Sequence, residues 1–236
     1  MTGRPSLPAG GEGRIALKED DTFRFACHPG VACFTRCCKD ADMYLYPYDI
    51  VRLKRRLAMT SEELLARHTV AAFRDNPHFP SVMLKMSDKP GNPCPFLTDA
   101  GCTVYEDRPY ACRAYPLEPA MYGAGEDRIG FRFFVARHSH CRGHREETSW
   151  TPRQWMEDQQ MGDYNELNAG WARIDALLRQ NPFGGQGDDS PALKMVYMAA
   201  YNIDTFRRFV FESSFLRRFD VPEARLDRVC ESDGAL

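Results

Sequence analysis

The sequence predicts an α+β protein in which a loop-rich cysteine-cluster domain with short strands is followed by a helical C-terminal part. Three observations carry that reading. Eight of the nine cysteines lie between Cys27 and Cys141. Runs that alternate polar and apolar residues, such as TFRFA at 22–26 and GFRFFVA at 130–136, fall within the same stretch. Beyond Thr151 the apolar residues recur at helical spacing instead. The expected division is a disordered tail over residues 1–19, a metal-binding domain over 20–148, and a helical region over 149–236 packed on it.

Taken in order, residues 1–19 are polar and rich in Gly and Pro, as a disordered tail is. TFRFA reads as a short strand leading into the first cysteine loop, and Met43 to Tyr46 as another. Pro47 opens a helix at a favoured first position, with Ile50, Val51, Leu53 and Leu57 on one face. Thr60-Ser61-Glu62-Glu63 is a capping box for a second helix carrying Leu64 and Leu65. Ser81 to Met86 is strand-like, Cys94 to Leu97 a brief extended piece, and Arg128 to Ala136 an aromatic strand. Thr151-Pro152-Arg153-Gln154 is a further capping box, opening a helical region to about Gln180. Its apolar stripe is Tyr164, Leu167, Trp171, Ile174, Leu177 and Leu178. Residues 181–190 form a loop, and two more helices are expected over Pro191–Asn202 and from Asp204 to about Arg218.

Composition excludes several classes. With 43% hydrophobic and 12% aromatic residues, the chain has the means to build a core. A net charge of −2 offers no field for nucleic acid or anionic lipid, so neither is expected as a partner. No apolar run approaches the ~18 residues that span a bilayer. Met1 to Gly13 has no apolar segment of a secretory signal, so the expected location is the cytoplasm. The stretch VRLKRRLAMTSEELLARH imitates a helix-turn-helix, but a recognition helix cannot follow, because Asn76, Pro77 and Pro80 interrupt the next segment.

The chemistry lies in the cysteines. The first group is Cys27, Cys33, Cys37 and Cys38; the second is Cys94, Cys102 and Cys112, with Cys141 further on. Their number is odd and no export signal accompanies them, so metal binding is favoured over disulfides. In an extended segment the adjacent Cys37 and Cys38 diverge, which suits two centres or two irons of one cluster. Four thiolates complete a tetrahedral zinc site or a four-iron cluster, and eight suffice for two. The spacing does not select the metal. Phe96, Tyr105, Tyr110 and Tyr115 are interleaved with the second group as a candidate dry shell. Arg108 and Arg113 are placed either to neutralise thiolate charge or to pair with Asp107 or Glu118. His138, His140 and His144 flank Cys141, so a mixed Cys/His site is an alternative; His28, His68 and His78 read as structural. Cys230 stands alone in a polar segment near the end, where a mobile backbone is expected.

The strings FACHPGVACFTRCC, YPYDIVRLKRRLAM and CPFLTDAGCTVYEDRPYACRAYPL closely resemble the YkgJ-type cysteine-cluster family, the CxxCxxCC zinc- or iron-chelating domain. The resemblance runs from Phe25 to Cys141 and returns more weakly at 201–219. It implies eight metal ligands: Cys27, Cys33, Cys37, Cys38, Cys94, Cys102, Cys112 and Cys141. Gaps of five and three residues in the first group replace the family's shorter ones. Some members carry the label flagellin lysine N-methylase, so the resemblance also brings in that activity. Yet GAG at 123–125 and GGQG at 184–187 are too short for an S-adenosylmethionine loop, and no radical-SAM motif is present. The expected function is therefore a cytoplasmic protein holding an iron–sulfur cluster, of the 4Fe-4S type, with a redox or cluster-dependent role. The alternative is a structural Zn2+ protein whose helical part binds a protein partner.

Overall fold

The computed structural model describes residues 14–73, 76–123, 129–184 and 190–235. It has the α+β character read from the sequence, with short antiparallel strands early and helices late. In chain order come β1 (Arg14–Leu17), β2 (Phe23–Arg24), β3 (Tyr44–Leu45), α1 (Pro47–Leu57) and α2 (Ser61–His68). Next are β4 (Thr69–Ala72), β5 (Ser81–Leu84), the β6 (Leu97–Thr98) and β7 (Gly101–Cys102) hairpin, and α3 (Tyr110–Ala114). β8 (Leu117–Tyr122), β9 (Gly130–Ala136) and β10 (Ser149–Trp150) precede α4 (Pro152–Asp158) and α5 (Gly162–Leu178). The chain closes with α6 (Pro191–Ala200), α7 (Ile203–Glu212), α8 (Phe215–Arg218) and α9 (Glu223–Glu231).

Local chemistry explains the helix starts. Thr60 and Glu63 exchange hydrogen bonds, Glu63 N–H to Thr60 Oγ1 at 3.2 Å and Thr60 N–H to Glu63 Oε2 at 2.9 Å. Thr151 and Gln154 do the same at the start of α4. Each such cap is worth about 1 kcal/mol. After α2 the chain turns into strand β4, not a recognition helix, so the helix-turn-helix resemblance ends there.

Some expectations are corrected. The tail does not extend to residue 19, because β1 pairs antiparallel with β9, Ile15 opposite Val135; residues 1–13 lie outside the described residues. The helical region from Pro152 breaks at Gln160, whose φ of +52° is left-handed and ends α4. The helix expected from Asp204 to Arg218 is interrupted at Ser213, whose hydroxyl accepts the Phe215 N–H at 3.1 Å. The loop expected over 181–190 falls partly at 185–189, and the start of the aromatic strand at Arg128; both lie outside the described residues.

The chain divides into two compact units. One takes residues up to Cys37 together with Ala114–Gly162; the other takes Cys38–Arg113 and Asp163–Leu236. In the first, β9 pairs with β1 on one side and β8 on the other, and β2 pairs with β10. Its centre is aromatic: Phe23, Phe25 and Trp155 are buried, and Phe25 meets Trp155 edge-on at 5.5 Å. The indole N–H groups find backbone acceptors, Trp155 on Ala114 O at 2.8 Å and Trp150 on Phe25 O at 2.9 Å.

In the second unit the sheet order is β3-β5-β4, and the core gathers Ile50, Leu53, Leu64, Phe79, Val82 and Ile203. A polar joint fastens α7 to α1 and α2. Ser61 N–H donates to Asp204 at 2.6 Å, and Lys54 reaches Asp204 at 2.7 Å and Asp233 at 3.0 Å. Partial burial pushes both carboxyls up, but Lys54 and their other donors hold Asp204 and Asp233 below the usual carboxylate range.

Candidate metal centre

The first unit gathers thiols from both ends of the cysteine-rich stretch. A small cavity is lined by Cys27, Cys33, Cys37 and Cys141, with Phe25, Val31, Tyr115, His140 and Gly143 completing its wall. Short turns shape the loop: Val31 N–H bonds to His28 O, Phe34 N–H to Val31 O, and Arg36 N–H to Cys33 O. A 3-10 turn over Arg36–Cys38 follows. From the other side, Ala26 N–H bonds to Gly143 O at 3.1 Å and ties the Cys27 and Cys141 segments together. Gly143 is needed for that approach, since a Cβ there would lie 2.6 Å from both Ala26 O and the Phe25 ring.

Two polar features point at the thiols. The Arg142 backbone N–H donates to Cys33 Sγ at 3.0 Å. The Tyr115 hydroxyl is buried and, among the described residues, lacks a partner at ordinary hydrogen-bond distance. Burial, and then the nearby Cys141 with Cys37 and Cys33, push that phenol far up. Of the four aromatics expected as a shell, only Tyr115 lines this cavity; Phe25, absent from that expectation, lines it too. Phe96 is buried in the second unit's core, and Tyr110 there bonds Asn165. Tyr105 is half exposed under the Arg108 guanidinium, 3.9 Å from its ring centre.

The histidines separate by geometry. His140 lines the cavity and stacks on His138, which stacks on Tyr115 in turn. His144 lies with one ring nitrogen 3.0 Å from Ala136 O and the other 3.3 Å from Arg24 O, so it holds backbone and is not turned toward the thiols.

The second unit holds the remaining four members of the expected set. Lys39 and Pro93 form an antiparallel bridge, and Cys94 N–H donates to Cys38 O at 2.8 Å, which sets Cys38 opposite Cys94. Burial pushes the Cys94 thiol up, and Cys102 adds to the effect. Cys112, exposed on α3, donates to Met43 Sδ at 3.6 Å. The adjacent Cys37 and Cys38 thus belong to different units. The carboxylates expected opposite the arginines are engaged elsewhere, Asp107 with Arg52 at 2.6 Å and Glu118 with Arg14 at 2.5 Å. Arg108 remains within electrostatic reach of Cys112, and Arg113 donates to Glu106 O.

Sequence reasoning passed over Asp49. This fully buried carboxylate accepts from Tyr46 N–H and from Tyr110 N–H, both at 2.8 Å, and so caps α1 and the start of α3 together. Burial pushes its carboxyl up to about 7. An acid two residues after Pro47 was the available signal. Cys230 also departs from expectation: its segment is helix α9, tied down by Arg207 to Val229 O and to Asp233, although its own side chain is exposed.

None of the nine cysteines, all of which lie among the described residues, forms a disulfide. Among the described residues, no three Cys, His, Asp or Glu side chains are yet drawn together closely enough to hold a metal ion. The donor set, an apolar wall and a sulfur-directed N–H suit a thiolate-bound metal.

The family comparison decides the class. The model of the CxxCxxCC family, described as a putative zinc- or iron-chelating domain, matches residues 26–153. The chain belongs to the CxxCxxCC family. The match spans more than half of the chain, includes eight cysteines and leaves out Cys230. Neither the curated proteins nor the solved structures compared gave a match. No helix among the described residues of this CxxCxxCC protein is long and apolar enough to cross a membrane.

Proposed function

We propose that this CxxCxxCC protein holds an iron–sulfur cluster through its clustered cysteines and serves a redox or cluster-dependent role in the cytoplasm. The observation that carries the reading is the cavity that Cys27, Cys33, Cys37 and Cys141 line together. The four ligands we assign to it match the number that a 4Fe-4S cluster takes. Such a cluster supplies one-electron chemistry when bound. The chain's own residues have separate tasks. Arg142 N–H orients the Cys33 sulfur, Phe25 and Val31 give the cavity an apolar wall, and Gly143 lets the two cysteine loops close on each other. Nine cysteines with no disulfide among them fit a reducing compartment.

Anaerobic purification followed by metal and sulfide analysis tests this reading. A brown protein with iron and acid-labile sulfide in equal amounts is expected, with Cys37→Ser losing both. A colourless protein carrying only zinc would replace it with the structural-zinc reading.

A further inference from the structure

Tyr115 is the group around the cavity whose chemistry is left unspent. Its ring is fixed: Phe25 meets it edge-on at 5.6 Å, and His138 stacks on it at 5.9 Å with an interplanar angle of 10°. The hydroxyl at the end of that ring is buried and, among the described residues, makes no hydrogen bond of ordinary geometry, with the Cys141 side chain the group it interacts with. An unsatisfied buried hydroxyl costs about 1–3 kcal/mol relative to a satisfied one. Phenylalanine would fill the same space without that cost, so the oxygen calls for a partner in the metal-loaded protein. Cys141 acts on it most strongly among the cysteines, followed by Cys37 and Cys33. A phenol is both a donor and an acceptor, whereas a metal-bound thiolate is an acceptor only.

We propose that the Tyr115 hydroxyl donates a hydrogen bond to a metal-bound cysteine sulfur in this cavity, Cys141 in the first place. It is a positioning and tuning residue, not a ligand. The inference rests on the reading of the cavity as a thiolate metal centre, but not on whether iron or zinc occupies it. Withdrawing electron density from a sulfur weakens its donation to the metal, so the hydrogen bond raises the energy of sulfur-to-metal charge transfer. In an iron–sulfur centre it shifts the reduction potential upward.

The test loads the full-length protein and Tyr115→Phe with Co2+ and compares metal stoichiometry and absorption. Both proteins are expected to bind the same amount of cobalt. The sulfur-to-cobalt band of the variant is expected at longer wavelength. Equal binding with superimposable bands would overturn the proposal while leaving the metal centre standing. Failure of the wild-type protein to bind cobalt through thiolates would overturn the reading of the cavity, and the proposal with it. Should Tyr115→Phe not fold, cadmium-loaded wild-type protein gives the answer by nuclear magnetic resonance. A Tyr115 hydroxyl proton coupled to cadmium through the sulfur is expected, and its absence from the assigned spectrum would overturn the proposal.

Discussion

One oxygen of Asp49 accepts the backbone N–H of Tyr110, 61 residues further along the chain, at 2.8 Å, and so joins two helix starts. The other oxygen accepts Tyr46 N–H. A single buried carboxyl thereby fixes the start of α1 and the short helix α3 that carries Cys112.

Asp49→Asn should destabilise the protein by about 1–3 kcal/mol near neutral pH, because one of the two N–H donors then faces an amide NH2. The pH dependence has a definite sign. Burial raises the folded pKa from 3.8 to about 7, so between those values the folded state keeps a proton that the unfolded state has lost. Stability from this group is fully present below pH 3.8 and declines as pH rises through 7. Urea unfolding across that window should show the wild type declining and Asp49→Asn flatter. Parallel curves would remove Asp49 as the cause.

Lys54 makes the opposite case. It serves Asp204 and Asp233 at once, and these carboxyls are held below their ordinary range. Their contribution is present above the unfolded pKa and lost as pH falls through the lowered folded values. Lys54→Met should cost about 3 kcal/mol at pH 7, since it removes the ammonium that two partly buried carboxylates share. It should also move acid unfolding to higher pH, as followed by circular dichroism.

What could be read from the sequence was local. The capping boxes at Thr60 and Thr151 and the Pro47 helix start involve residues within four positions, and they stand as expected. Pairings between distant segments left no comparable trace. β1 was read as tail because the residues around it are polar and rich in Gly and Pro, and its partner strand lies more than a hundred residues away. The eight cysteines were legible as a set, yet their sorting was not. Cys141 shares a cavity with Cys27 because Ala26 and Gly143 meet, and that contact depends on a missing side chain. Asp49 escaped notice for the same reason: its second partner is a distant backbone N–H, which no sequence pattern marks.

Gly143→Ala should therefore lower melting temperature and metal retention together, because its Cβ would lie 2.6 Å from a backbone oxygen and an aromatic ring. Gly170→Ala is the control. Within α5 its added Cβ would meet nothing within 4 Å, and the change should stabilise by up to about 1 kcal/mol without altering metal content. Metal analysis after gel filtration reads the first effect, and calorimetry the second.

Cys230 offers the sharpest control for the ligand assignment. It lies outside the span matched by the family, on an exposed position of α9. The neighbouring Val229 and Asp233 anchor that helix through Arg207, so a serine in place of Cys230 removes no packing and no hydrogen bond that holds it. Cys230→Ser is expected to keep full metal content and an unchanged melting temperature. Cys37→Ser and Cys141→Ser, on the wall of the cavity, should each lose metal and melt earlier, because binding free energy contributes to the stability of the loops. If Cys230→Ser lowered metal stoichiometry as far as Cys37→Ser, the assignment of eight ligands would have to be given up.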